Sequence, residues 1–275
     1  MNVVTLLTDF GSKDYFVGAL KGLLIQQVPQ CTIIDLSHEV DPFNVLEAAY
    51  ILRSAYQSFP TNSIHIIGLD AEWCAQNQPM YAHYDGHHFL AADNGLFSLV
   101  FPNISMSNCY SLAQWTLSDQ NKGMRTLVKA ASFISENIAL NEWCQPAASI
   151  KQLSELMSNI MDDRVIKGHV IYIDHYGNVV TSITLAQFES LHNGRAYSIE
   201  FRNQKLARLV QKYSEVATNV KFPLKNYEGE KLAIFNEAGY LEIALFRSNP
   251  NTLGSAHSLL GLNYRDTVYI RFTDN

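Results

Sequence analysis

Three short apolar runs near the start of the chain, "VVTLLTDF", "CTIIDLS" and "SIHIIGLD", are separated by two stretches of helical spacing. That order constrains the fold more than any other feature. From Asp14 to Gln27 apolar residues recur at Phe16, Val17, Leu20, Leu23 and Leu24, and Pro29 ends the pattern. In the second stretch Pro42 precedes an Ala- and Leu-rich segment from Val45 to Tyr56, which Pro60 stops. Strand, helix, strand, helix, strand implies a parallel sheet with helices packed on its faces. Ligand sites in such sheets gather at the carboxyl ends of strands. Asp9, Asp35 with His38, and Asp70 fall there.

Further along, "HYDGHHFLAADNGLFSLVF" reads as a hairpin-like region, with Asp85-Gly86 and Asn94-Gly95 as turn signals. Residues 125–160 read as mostly helical. From Gly168 the texture changes to short alternating strands, "GHVIYIDHYGNVVTSIT", "AYSIEFRNQ", "EKLAIFNEAGYLEIALF" and "DTVYIRF", separated by Asn, Gly and Asp. The expectation is an α/β N-terminal domain with a mainly parallel sheet over residues 1–165, then an all-β domain over 166–275. The segment "MDDRVIKGH" marks the change.

A chain of 275 residues suits one large domain or two modest ones. Its net charge of −6, with no basic tract, argues against a nucleic-acid partner, which needs a basic stripe to neutralise phosphates. No apolar run approaches the ~20 residues that span a bilayer. The opening lacks a basic leader with an apolar core and cleavage site, so a cytoplasmic protein is expected. Cys31, Cys74, Cys109 and Cys144 are scattered without metal-ligand spacing and are expected as reduced cysteines in or near the core.

Asp9-Phe10-Gly11 matches the letters of a kinase magnesium motif, but no glycine-rich loop, V-A-I-K strand or H-R-D accompanies it. Asp9 instead reads as a carboxylate at a strand end, before a glycine and a helix start. Such a group can accept hydrogen bonds from the vicinal hydroxyls of a ribose. Asp9 and Asp14 together would repel a phosphate. Asp14 taken alone reads as a helix cap. Gly177-Asn178 and Asn94-Gly95, taken alone, read as turns. His87 and His88 are strand neighbours that point to opposite faces, so a shared metal is not expected. No H-E-x-x-H and no serine nucleophile elbow occurs.

The segments "LLTDFGSKDYFVGALKG", "IIDLSHEVDPFNVLEAAYIL", "SIHIIGLD", "AADNGLFSLV", "YIDHYGNVVTSI" and "FNEAGYLEIAL" follow one another across nearly the whole chain. In that order they resemble the S-adenosylmethionine hydroxide adenosyltransferase family, relatives of the fluorinating and chlorinating enzymes. The resemblance implies an α/β domain followed by a β-barrel-like domain, and a homotrimer that binds its ligand between subunits. It implies that water or hydroxide attacks the ribose 5′ carbon of S-adenosyl-L-methionine, releasing methionine and adenosine, with no metal and no further cofactor. By the same resemblance Asp9 holds the ribose hydroxyls, Asp14 helps bind the methionine end, and Phe43 packs beside the sugar. Asn178 lies near the amino-acid portion. The stretch from Phe201 to Asn203 approaches the adenine. Asn236, Glu237 and Ala238 form the loop that contacts methionine and adenine, and Gly254 to Ala256 form an adenine loop after an apparent insertion, "FRSNPNT".

The family positions its nucleophile with an Asp, Arg and His trio. The Asp matches Asp70 in "GLDAEW", but Asn77 stands at the Arg position and, approximately, Lys122 at the His position before "GMRTLVKAASF". Glu237 and Ala238 replace the usual Ser-Ser or Ser-Arg pair. Losing a general base typically costs ~10²–10⁴-fold in rate. The sequence therefore leaves open a slow S-adenosylmethionine hydrolase, a non-catalytic adenosine or S-adenosylmethionine binding protein, and an enzyme acting on another 5′-substituted adenosine. Nothing marks a halide pocket.

Overall fold

The computed structural model describes residues 2–74, 76–112, 123–153, 157–219 and 221–273. The chain divides into two compact units, Met1–Ser154 and Glu155–Asn275.

The first unit is built on strands β1 (Val3–Thr8), β2 (Thr32–Ser37), β3 (Ile64–Gly68), β4 (Pro79–Tyr84), β5 (His87–Ala92), β6 (Cys109–Ser111) and β7 (Gln145–Pro146). They form one sheet in the order β2-β1-β3-β5-β4-β6-β7. Pairing is parallel across β2, β1, β3 and β5, and antiparallel from β5 through β4 and β6 to β7. Helices α1 (Phe16–Gln27) and α4 (Met124–Ser135) pack together, as do α2 (Val45–Ala55) and α3 (Leu96–Val100). Leu20 and Leu24 of α1 and Leu127 and Ala131 of α4 share a core with Val4, Leu6, Ile64 and Ile66. Leu7 and Ile67, one residue along each strand, are also fully buried. Burial on both faces explains why these parallel strands read as unbroken apolar runs. The chain places β2 on one side of β1 and β3 on the other, and that reversal opens a crevice at the carboxyl ends of the central strands.

Several local expectations change. The N-cap of α1 is Tyr15, with no side-chain cap bond, so Asp14 does not cap it. Asn94-Gly95 opens α3 instead of turning a hairpin. Gly95 sits at φ +98°, and a Cβ there would lie 2.4 Å from Leu153 Cγ. Among the described residues of 125–160, helix occurs only in α4 and α5 (Leu140–Trp143), and the edge strands β7 and β8 (Asn159–Asp162) occupy part of the remainder. No helix among the described residues is long and apolar enough to cross a membrane.

The second unit contains β9 (Val165–Ile173), β10 (Val179–Thr184), β11 (Ala196–Phe201), β12 (Gln204–Leu206), β13 (Leu209–Val210), β14 (Lys231–Phe235), β15 (Tyr240–Leu245) and β16 (Thr267–Thr273). Their order is β12-β11-β16-β9-β10-β15-β14-β13, with β8 paired to β9, so this unit begins ahead of residue 166. The sheet curls into a nearly closed barrel. Lys231 Nζ of β14 donates to Gln204 Oε1 of β12 at 3.0 Å across the closing edge. Its interior holds Ile166, Val179, Phe201, Ala233, Ile243 and Ile270. Among the described residues two α-helices interrupt the strands, α6 (Leu185–His192) and α7 (Ala256–Leu260). Thr184 and Gln187 form a capping box at the start of α6, a signal that "TLAQ" carries in the sequence.

His65 is one of the buried histidines that give the first unit a pH dependence. His65 on β3 is fully buried, with Nδ1 2.7 Å from Thr5 Oγ1 and Nε2 3.1 Å from His87 Nδ1. Burial, with the neighbouring His87 and His88, pushes its pKa from 6.5 to about 3. Between those values the unfolded chain binds a proton that the folded chain excludes. Stability is therefore complete above pH 6.5 and falls as pH drops toward 3. By pH 5 the loss from His65 amounts to about 2 kcal/mol. Urea melts at pH 7 and pH 5 are expected to differ less for His65→Gln than for the wild type. An equal difference in the two proteins removes His65 as the source.

Candidate functional site

The loops that leave the carboxyl ends of β1 and β3 line one cleft of about 1080 Å³. Asp9, the residue after β1, and Asp70, two residues after β3, both line it. Both are half-buried.

Asp9 Oδ2 accepts the backbone N–H of Phe43 at 3.0 Å, which ties the loop before α2 to the end of β1. Phe43 is held at φ +63°, is 72% exposed and also lines the cleft. A bulky residue in the left-handed region is uncommon, and such strain persists only where the surroundings over-determine it. Asp9 Oδ1 accepts no hydrogen bond from a described residue, and each oxygen has a second lone pair. The carboxylate thus keeps acceptor capacity for a pair of hydroxyls. Gly11, at φ +66°, donates its N–H to His38 O at 2.7 Å and turns the chain toward α1. His38 Nδ1 lies 2.7 Å from Thr8 Oγ1 and its Nε2 3.1 Å from Asp35 Oδ1. Asp35 also pairs with Lys21 at 2.6 Å, so Asp35 and His38 brace the loops and do not line the cleft.

Asp70 is the second strained residue, at φ +46°. Two amides fix it there. Asn94 Nδ2 donates to Leu69 O at 3.0 Å while its Oδ1 accepts from Leu96 N at 3.1 Å, linking the end of β3 to the start of α3. Asn77 Nδ2 donates to Asp70 O. Asn77 is 7% exposed, and its amide holds the Asp70 main chain; the structure gives it a bracing position, not one that lines the cleft. Lys122 lies outside the described residues. Trp73 Nε1 donates to Thr126 Oγ1 at 3.2 Å, which docks the 71–74 loop onto α4.

The cleft carries three carboxylates, those of Asp9, Asp70 and Glu72, and no Lys, Arg or His among its described lining residues. Phe10, Phe16, Phe43 and Trp73 supply aromatic surface. Such a wall would repel phosphate and attract a cation, and its rings offer faces for a heterocycle to stack on. Asp14 is exposed and does not line the cleft. Among the described residues no group of three or more His, Cys, Asp or Glu is placed to hold a metal ion.

The remaining sequence-selected residues belong to the second unit. Asn178 lines a smaller pocket there, and its backbone N–H and Nδ2 both donate to Asp174, at 2.8 and 3.0 Å. Asn236 shapes the β14–β15 turn, its Oδ1 accepting from Ala238 N and Tyr240 N at 3.1 Å each; Glu237 is exposed at the tip. Phe201 corrects the expectation for its stretch. Its ring is 1% exposed inside the barrel core, which leaves the exposed Arg202–Asn203 turn as the accessible part. Ala256 is likewise buried, at the first position of α7. The sequence reading missed Asn94 as a site brace, because an Asn-Gly pair looks like a turn. It missed Glu72 and Trp73, which line the cleft from a loop without a periodic signal.

The family model described as SAM hydroxide adenosyltransferase N-terminal domain matches residues 4–143, and that of the C-terminal domain matches residues 168–269. The chain is 26% identical to the (R)-S-adenosyl-L-methionine hydrolase of Methanocaldococcus jannaschii, over 98% of this chain and 96% of that protein. It is 24% identical to the protein of the same name from Thermus thermophilus, over 95% and 96%. A crystal structure of an uncharacterized conserved protein from Thermotoga maritima superposes with a TM-score of 0.79 at 22% identity, covering 98% of this chain and 99% of that one.

Proposed function

Because the chain belongs to the SAM hydroxide adenosyltransferase family, matched in both of its units, we propose that it is an S-adenosyl-L-methionine hydrolase that forms adenosine. The observation that carries this reading is the acidic, aromatic cleft that unites Asp9 and Asp70. A sulfonium is a cation, a ribose presents vicinal hydroxyls, and an adenine presents a stacking face.

In the proposed reaction Asp9 holds the ribose hydroxyls and Asp70 orients a water against the 5′ carbon. The water oxygen forms the new C–O bond as the C–S bond breaks, and the electron pair leaves with methionine sulfur. The proton of the attacking water passes to Asp70 or to solvent. A sulfonium is already a good leaving group, so the protein chiefly aligns and desolvates the nucleophile. With Asn77 committed to the Asp70 carbonyl, no guanidinium among the described lining residues shares that work, and turnover is expected to be slower than in relatives with the full trio.

Asp9 and Asp70 lie in the first unit and Asn178 in the second. The proposal includes a homotrimer in which the first unit of one subunit and the second unit of its neighbour share the ligand. Light scattering at micromolar concentration is expected to give the trimer mass, and a monomer would contradict it. Incubation of the purified protein with S-adenosyl-L-methionine is expected to release adenosine and methionine in equal amounts. A second reading, a binding protein without turnover, is favoured by the bracing position of Asn77. Tight ligand binding with no adenosine after long incubation would establish it.

A further inference from the structure

Three carboxylates line the cleft of the first unit, and the reaction proposed above uses two of them. Asp9 is given to the ribose hydroxyls and Asp70 to the water. Glu72 is left without a task. It is exposed, it lines the cleft, and it forms no ion pair among the described residues. Nor does a cation stand near it in the sequence, since no Lys or Arg occurs from Asp70 to Val100.

The neighbours of Glu72 are tied down on both sides. Before it, Asn77 Nδ2 donates to Asp70 O. After it, Trp73 Nε1 donates to Thr126 Oγ1 at 3.2 Å, and Thr126 is itself only 2% exposed on α4. Asn77 N then donates to Cys74 O at 3.1 Å, and Gln78 Nε2 to the same oxygen at 2.7 Å. The loop therefore keeps the Glu72 charge at the cleft, next to Trp73, which lines the same cleft.

An exposed glutamate ordinarily needs no partner, because water solvates it. The cleft sets this one apart. Three like charges around one cavity of about 1080 Å³ repel one another, and no Lys, Arg or His among the described lining residues offsets them. A bound cation relieves that repulsion. A bound neutral molecule does not, and it displaces water that solvates the carboxylates. A sulfonium has no N–H or O–H to donate, so opposite charge and an aromatic face are the means of recognising it. Glu72 and Trp73, adjacent in one loop, present both.

We propose that Glu72 is a specificity-determining residue, by which the cleft selects a cationic 5′ substituent over a neutral one. The inference rests on the reading of the cleft as the site for S-adenosyl-L-methionine. It bears on product release as well. The sulfur of the substrate is positive, whereas that of methionine is a neutral thioether and adenosine carries no charge. The attraction at the sulfur is therefore lost when the C–S bond breaks.

Calorimetric titration with three ligands that share the adenosine and the amino-acid head tests this assignment. They are S-adenosyl-L-methionine, the neutral thioether S-adenosyl-L-homocysteine, and an uncleavable analogue in which a C–NH3+ group replaces the methylated sulfur. At low salt the wild type is expected to bind both cationic ligands about tenfold more tightly than the thioether, and raised salt should shrink that margin. Glu72→Gln should cut the margin by about threefold while changing thioether affinity less than about twofold, and Glu72→Asp should keep part of it. Equal loss for all three ligands would make Glu72 a structural residue and overturn the proposal. So would a wild type without the margin. A full margin in Glu72→Gln would also overturn it, and adenosine release by the wild type would then leave the hydrolase reading standing. The expected pattern in a protein that never releases adenosine supports the role of Glu72 and refutes the hydrolase reading.

Discussion

Asp9→Asn is expected to weaken adenosine binding by roughly ten- to hundredfold, since charge-assisted hydrogen bonds are worth about 1.5–3 kcal/mol each. The substitution keeps an amide oxygen that can still accept the Phe43 N–H, so the loop before α2 stays anchored. What it removes is the charge and the second acceptor, the part aimed at ligand hydroxyls. Titration with adenosine and with 2′-deoxyadenosine separates the causes. The wild type should favour adenosine clearly, and Asp9→Asn should bind the two nucleosides about equally. Unchanged adenosine affinity would take Asp9 out of the site.

Asp70→Asn is expected to lower adenosine release by ~10²-fold or more, the range for loss of a positioned acid–base group, with adenosine affinity little changed. Asparagine is the right replacement because Asp70 sits at φ +46°. Asn tolerates the left-handed region, whereas Ala would add backbone strain and confuse folding with chemistry. The bonds that position the backbone come from Asn77 to the Asp70 carbonyl and from Asn94 to the Leu69 carbonyl, so they survive the change. Full activity in Asp70→Asn would mean that another group positions the water.

The first unit was legible because its parallel strands are buried on both faces, and burial writes itself as unbroken runs such as those of β1 and β3. The second unit was legible as all-β from alternation and turns, and its barrel form came only with the family resemblance. Edge elements were not. All four residues of β8 are exposed, so no period betrays it, and β7 spans only Gln145–Pro146. α6 was hidden among strands although Thr184 and Gln187 announce its start. In the site, Asp9 and Asp70 stood out because strand ends are where loops converge. The work of Asn77 could not be read, since it depends on which way one carbonyl points.

In the proposed reaction the cleft delivers water to the 5′ carbon of S-adenosyl-L-methionine. Turnover in water enriched in oxygen-18, followed by mass spectrometry of both products, tests it most directly. One labelled oxygen is expected in the 5′ hydroxyl of adenosine and none in methionine. Adenosine without label, or a labelled methionine side, would place the attack elsewhere and contradict it.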